Sequence, residues 1–262
     1  MIIIVTGASK GIGFALAKSL AKEGHRVYGF SRNTVDHPDF ESLSVDITEE
    51  QQIKKAVEEI YQRHSSIDLL INNAGVGMVG AVEDTTKEDI HRLIDVNLVG
   101  SIQMIRAVLP YMRKQKSGRI INISSIGSEM GLPFRGFYSA SKSAIDKVTE
   151  ALRYEVRPWN IEATCLHLGD VKTDIAEGRI RTKISSPYEK IFDKVYRMMN
   201  LEVENGCPPE KVAEFILQLL NKNHWKAHYY YGKFIQKMAV PLKWILPQNL
   251  YENLLRRYSN MN

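Results

Sequence analysis

Directly after the apolar run Ile2–Thr6 the chain reads Thr6-Gly7-Ala8-Ser9-Lys10-Gly11-Ile12-Gly13, and residues 11–23 then follow helical spacing. A glycine cluster between a strand-like run and an amphipathic helix leaves few folds open. It suits the first turn of a parallel α/β sheet, where a helix N-terminus presents free backbone N–H groups to an anion. In that setting Gly7 permits the tight turn, Gly11 lets a pyrophosphate approach the backbone, and Gly13 lets helix and strand pack closely. Ser9, Lys10 and Ile12 complete the dinucleotide-binding turn that this reading implies.

The rest of the chain repeats the alternation. Apolar runs at Ile2–Thr6, Arg26–Ser31, 68–71, 119–124 and 162–167 are expected as buried strands, and helical spacing is clear over 49–64, 87–115 and 138–157. Pro208-Pro209-Glu210 starts another helix reaching about Leu220, and His228–Tyr231 suits a last edge strand. Together these predict an α/β fold with a doubly wound parallel sheet. Residues 174–205, interrupted by Pro187, are only weakly helical and are expected as an insertion able to close over the crevice beyond the strand ends, as a lid.

Composition narrows the function classes. The 262 residues are 44% hydrophobic and 25% charged, which fits one folded domain. To Lys222 the chain carries 29 basic and 29 acidic residues, so it lacks the broad basic face of a nucleic-acid binder. The +5 net charge is carried by the tail. Cys165 and Cys207 are spaced for neither a redox pair nor a zinc site, and no metal is expected. No apolar run approaches the roughly 20 residues of a bilayer span and no basic leader precedes the first strand, so a cytoplasmic location is the expectation.

Three segments together resemble the short-chain dehydrogenase/reductase family: the Thr6–Gly13 turn, Asn72-Asn73-Ala74-Gly75, and Tyr138-Ser139-Ala140-Ser141-Lys142. The likeness runs in order from Met1 to about Leu220. It implies a Rossmann-type sheet, an oxidoreductase interconverting a ketone and a secondary alcohol with a nicotinamide cofactor, and a homodimer or homotetramer. By position, Asn73, Ala74 and Gly75 close the strand under the adenine ribose, and Asp46 with Ile47 borders the adenine. Thr173 meets the nicotinamide carboxamide from a loop that also holds Gly169 and Val171. Asn97 corresponds to the asparagine that holds a helix bend and a water leading to the lysine. Ser125, thirteen residues before Tyr138, corresponds to the serine that polarises the substrate carbonyl. Relatives usually carry Pro-Gly where this chain has Leu168-Gly169, which implies a less rigid loop.

Charge indicates which cofactor. Members preferring NAD end their second strand with an acid; here Ser31 stands there, Arg32 follows, and Lys10 lies inside the glycine turn. Two cations with no carboxylate suit the 2′-phosphate of NADP(H). Tyr138 and Lys142, four apart on a helix, share one face. A tyrosine hydroxyl with its ordinary pKa near ~10 is a poor acid at neutral pH. A neighbouring ammonium is expected to lower that value and make Tyr138 a usable general acid, with Lys142 positioning the ribose.

The substrate is less constrained. Met130-Gly131-Leu132-Pro133-Phe134 is similar to the 17β-hydroxysteroid and retinol dehydrogenase branch, which implies a bulky apolar substrate, steroid-like or a long-chain 3-keto lipid. A soluble 3-oxoacyl, sugar or polyol reductase is the alternative. A non-catalytic dinucleotide sensor is opposed by the intact Ser125, Tyr138 and Lys142. The chain divides at 1–224 and 225–262: the tail holds six basic residues against one acidic, and eight of the 23 aromatics. Such an amphipathic, basic and aromatic segment suits peripheral contact with a membrane, or packing on the body or on a second subunit.

Overall fold

The computed structural model describes residues 1–261. Its elements begin β1 (Ile2–Thr6), α1 (Gly11–Lys22), β2 (Arg26–Ser31), β3 (Glu41–Ser44), α2 (Glu50–His64), β4 (Leu69–Asn72) and β5 (Met78–Val79). Then follow α3 (Lys87–Ile94), α4 (Ser101–Gln115), β6 (Gly118–Ser125), α5 (Gly136–Val156), β7 (Ile161–Leu168), β8 (Ile180–Arg181) and α6 (Glu189–Glu204). The chain closes with α7 (Pro209–Leu220), β9 (His228–Tyr231), α8 (Phe234–Ile245) and α9 (Gln248–Tyr258).

Seven strands form one parallel sheet in the order β3-β2-β1-β4-β6-β7-β9. The central strands are apolar along nearly their whole length because helices cover both faces. On one side α1 (Leu16, Leu20) and α7 (Val212, Ile216) pack with Ile3, Val5 and Leu166. On the other, Ile53, Val57 and Ile60 of α2 join Met104 and Val108 of α4 against Ile4, Leu70 and Ile120. The spacing of Ile53, Ala56, Val57 and Ile60 is the i, i+3, i+4, i+7 stripe of a helix with one buried face. After β3 the chain returns to the other side of β1, so the order reverses between β1 and β4. The crevice at that reversal is where ligands of such sheets bind.

The structure differs from the sequence expectations at four points. Residues 87–115 are not one regular helix, because Asp95–Gly100 winds as a π-helix between α3 and α4. That stretch also has the length and apolarity of a bilayer span, contrary to the reading of the runs, and part of it is buried in the fold. Glu41–Ser44 is a further strand; its four residues are partly exposed and carry no apolar run to betray them. The division at 224 falls before the seventh strand, since β9 pairs with β7 from Cys165↔His228 to Leu168↔Tyr231 and Trp225 is buried in the core.

Candidate active site

At the end of β1, Thr6 fixes the crevice. Its hydroxyl accepts hydrogen bonds from the backbone N–H groups of Asn73 (3.0 Å) and Ala74 (2.9 Å), while Asn73 Nδ2 donates to the Thr6 carbonyl. The turn after β1 is therefore stapled to the segment after β4. Gly7 and Gly11 both have positive φ (+69° and +57°). A Cβ on Gly13 would lie 2.2 Å from the Gly7 carbonyl oxygen, so only glycine lets α1 close onto the turn. Helix α1 starts with neither a side-chain cap nor an acid in its first turn, which leaves its N–H groups and positive end available to an anion. These residues fit a dinucleotide pyrophosphate. Ser9 is half-buried in the turn, and Ile12 reaches the cavity described below.

Arg32 and Lys10 are both exposed, and Ser31 at the end of β2 turns its hydroxyl onto the Asn33 carbonyl. No acid occupies the end of β2. Asp46 and Ile47 follow β3: the Asp46 carboxylate accepts from Thr48 N and Oγ1, and Ile47 is buried against Gly100.

Three elements bring the polar centre together. Ser125 is the last residue of β6 and its Oγ accepts from Gly127 N at 3.0 Å. Tyr138 and Lys142 sit on the first turns of α5. Lys142 is buried and its Nζ donates to the Ile123 carbonyl at 2.9 Å. Asn97, in the π-helix, is also buried; it accepts from Val76 N, and its amide donates to Val76 O and Ser141 Oγ. The π-turn widens the helix at this position, a common device at functional sites. A Cβ on Gly75 would lie 3.2 Å from Asn97 Oδ1 and 3.4 Å from Lys142 Nζ, so Gly75 leaves room for both.

The electrostatics depart from expectation. Burial pushes the Tyr138 hydroxyl above its ordinary value; a Ser125 hydrogen bond, Arg135 and Arg179 pull the other way. The cations that favour its phenolate are thus two arginines that the spacing argument did not single out. Burial also lowers Lys142, against the pull of Asp146, to about 8.

Ser125, Tyr138 and Lys142 line one cavity of about 390 Å³ with Gly75, Gly169, Val171 and Thr173. Part of its outer wall comes from the segment expected as a lid, Met199 and Val203 of α6; Ala239 and Leu242 of α8 and Leu255 and Tyr258 of α9 were not foreseen there. Gly169 packs tightly under this tail: a Cβ there would press on Gln236 Oε1 and lie 3.2 Å from Gly232 Cα. Gln236 in turn donates to the Asp170 carboxylate, latching α8 to the loop after β7. Asp170, Arg135 and Arg179, all lining the cavity, carried no motif and were missed.

Behind Ser125 lies a second polar cluster. His167 is wholly buried; its Nδ1 is 3.1 Å from Ser128 Oγ and 3.3 Å from the Ser125 carbonyl, and its ring stacks on Tyr230. Tyr230 donates to Glu129 at 2.7 Å. Nothing in the linear spacing marks these residues as neighbours, because β7 and β9 meet only in the sheet.

A Rossmann-type sheet with a nucleotide crevice at its reversal point, opening beside a serine, a tyrosine and a lysine, defines a dinucleotide-dependent oxidoreductase. The short chain dehydrogenase family profile matches residues 1–183. The chain belongs to that family. It is 38% identical over 259 residues to a 3-ketodihydrosphingosine reductase of Bacteroides thetaiotaomicron, covering 97% of this chain and 96% of the relative. An uncharacterized oxidoreductase of Bacillus subtilis is 32% identical, with 98% and 97% covered. Among solved structures, a short-chain dehydrogenase from Streptomyces avermitilis superposes with a TM-score of 0.82 at 28% identity, covering 97% of each chain. One from Burkholderia cenocepacia in complex with NADP does so with 0.76 at 25% identity and the same coverage.

Proposed function

We propose that this chain is an NADP(H)-dependent ketone reductase acting on a bulky apolar substrate, of which a long-chain 3-keto lipid is the favoured class. One observation carries the reading: Ser125 and Tyr138 open into a cavity whose remaining wall is built largely from apolar side chains of the α6 lid and the tail helices. The name of the Bacteroides relative, a reductase of a keto lipid, supports the same class. The NADP complex of the Burkholderia structure, together with Lys10 and Arg32 and the absence of an acid at Ser31, supports the phosphorylated cofactor.

In this reading Gly7, Gly11 and Gly13 admit the pyrophosphate, Arg32 and Lys10 meet the 2′-phosphate, and Thr173 holds the nicotinamide end. When bound, NADPH supplies the hydride. Ser125 Oγ donates to the ketone oxygen as negative charge develops there, and the Tyr138 hydroxyl protonates it. Lys142, beside Gly75, holds the ribose and returns the proton to Tyr138, while Asn97 keeps the helix bend next to it through its bonds to Val76 and Ser141. The apolar wall excludes water and places the carbonyl.

The tail also suits a lipid surface. Phe234 and Trp244 of α8 are 76% and 79% exposed, beside Lys237 and on helices whose other face lines the cavity. The test of substrate is NADPH oxidation against ketones graded in chain length and ring number. Long-chain ketones are expected to have the highest kcat/KM, and a preference for short polar ketones rejects the lipid reading. Flotation of the full chain with anionic vesicles tests the surface: binding is expected, and Phe234→Ser with Trp244→Ser should abolish it.

A further inference from the structure

We propose that Arg135 and Arg179 form an anion subsite in this cavity, taking a carboxylate or phosphate ester oxygen that the substrate carries close to the ketone. The proposal rests on the cavity being the substrate site and deepens that reading by naming the charge of the head group.

The two guanidiniums reach the cavity from separate elements. Arg135 is the N-cap residue of α5, three residues before Tyr138, whereas Arg179 comes from the lid segment just before β8. Gly77 makes room for Arg179: a Cβ there would lie 2.8 Å from the Arg179 Cγ. Asn200 of α6 accepts from one Arg179 nitrogen at 2.6 Å and fixes its position. Arg135 is held differently. Its Nε is shut off from solvent and, among the described residues, has no hydrogen-bond partner.

Charge in the cavity is unbalanced. The lining includes Arg135, Arg179 and Lys142, and Asp170 is its only carboxylate among the described residues. Asp170 is already held by Gln236 of α8. Burial also raises Asp170, the nearby Arg135 pulling it down, which weakens it as a counter-charge. Burial disfavours the charged form of both arginines, and Arg135 disfavours that of Arg179. Half-buried guanidiniums are costly to leave unpaired, and an enclosed donor such as Arg135 Nε calls for a partner. A planar fork of N–H donors is matched by a carboxylate or phosphate. A neutral lipid leaves these donors unpaired, and an ammonium adds a further positive charge.

The closing experiment reads binding, not turnover, so that failure of the reductase reading is seen separately in the ketone panel. Calorimetry on the full chain saturated with NADP+ compares dodecanoate, dodecyl phosphate, dodecanol and dodecylamine below their micelle concentrations. One or both anions are expected to bind at least tenfold more tightly than the alcohol and the amine, and the stronger of the two identifies the head group. Arg135→Gln and Arg179→Gln should each remove at least tenfold of the anion affinity and leave dodecanol within twofold; Lys55→Gln, exposed on α2 and outside the cavity lining, should change neither. Equal binding of alcohol and anions by the native chain overturns the proposal, as does a parallel loss of both ligands in the variants. If Arg135→Gln does not fold, Arg179→Gln decides by the same criteria.

Discussion

His167 Nε2 lies 2.9 Å from His228 Nδ1, so a buried imidazole on β7 and a partly exposed one on β9 share a single hydrogen bond. From there His228 Nε2 reaches Glu150 at 3.1 Å, near the surface, while the inner ring faces Ser128 and the Ser125 carbonyl. The edge strand contributed by the tail therefore supports the turn that carries Ser125.

This pair makes stability depend on pH. Burial lowers His167 from its ordinary 6.5, with His228 acting in the same sense and Asp146 and Glu129 opposing. On acidification the unfolded chain takes up this proton before the folded chain does, so stability is lost as pH falls below about 6.5. Urea unfolding at pH 7.5 and 5.5 should show a larger drop for the native chain than for His167→Phe; equal drops refute the assignment.

Lys142 acts at the alkaline end. Its folded value of about 8 lies below the ordinary 10.5, so the penalty of burying the charge is fully present below pH 8 and is relieved between about 8 and 10.5. The span corresponds to ~3 kcal/mol. Compared with Lys142→Met by urea unfolding without cofactor, the native chain should gain relative stability as pH rises from 7.5 to 10. A constant difference contradicts the depressed value.

Replacing the Tyr138 hydroxyl removes the proposed proton donor and leaves the ring. Tyr138→Phe should fold, bind NADPH with an affinity within about threefold of native, and lose ~10² to 10⁴ in kcat, the range of general acid catalysis. Near-native turnover would mean that another group protonates the product.

The cofactor assignment rests on exposed charge and is tested by reversing it. Arg32→Asp should weaken NADPH binding by about tenfold or more, the loss of a charge-assisted contact, and narrow or invert the preference over NADH. Fluorescence titration with both cofactors measures this. Unchanged selectivity would assign recognition of the 2′-phosphate elsewhere.

At Gly13 the obstacle is backbone, which cannot rotate away. Gly13→Ala drives a methyl against the Gly7 carbonyl, and overpacking of this kind costs about 1–3 kcal/mol. A lowered thermal midpoint together with loss of NADPH binding is expected.

The cofactor half of the site was legible in the chain because it is built from short contiguous segments. Thr6–Gly13 and the tripeptide Asn73-Ala74-Gly75 need only the ends of two neighbouring strands to meet, and a parallel sheet with crossover helices guarantees that. Tyr138 and Lys142 are one helical turn apart, so their shared face follows from 3.6 residues per turn. The same local logic located all the core strands except Glu41–Ser44, whose partial exposure removes the apolar signal.

The cavity beside it was decided by tertiary structure. Arg135, Asp170, Arg179 and Tyr258 are spread over more than a hundred positions and line one cavity from the start of α5, the loop after β7, the lid and α9, the last of these brought over the strand ends because β9 adds to the sheet beside β7. The tail's basic and aromatic composition could not say which of its faces would be covered; packing answers that by turning Ala239, Leu242 and Leu255 inward and leaving Phe234 and Trp244 outside. Likewise the spacing of Tyr138 and Lys142 named a tyrosine and its lysine, but burial and two arginines, Arg135 one turn away and Arg179 from the lid, set the tyrosine's proton affinity, because desolvation and charge act through space.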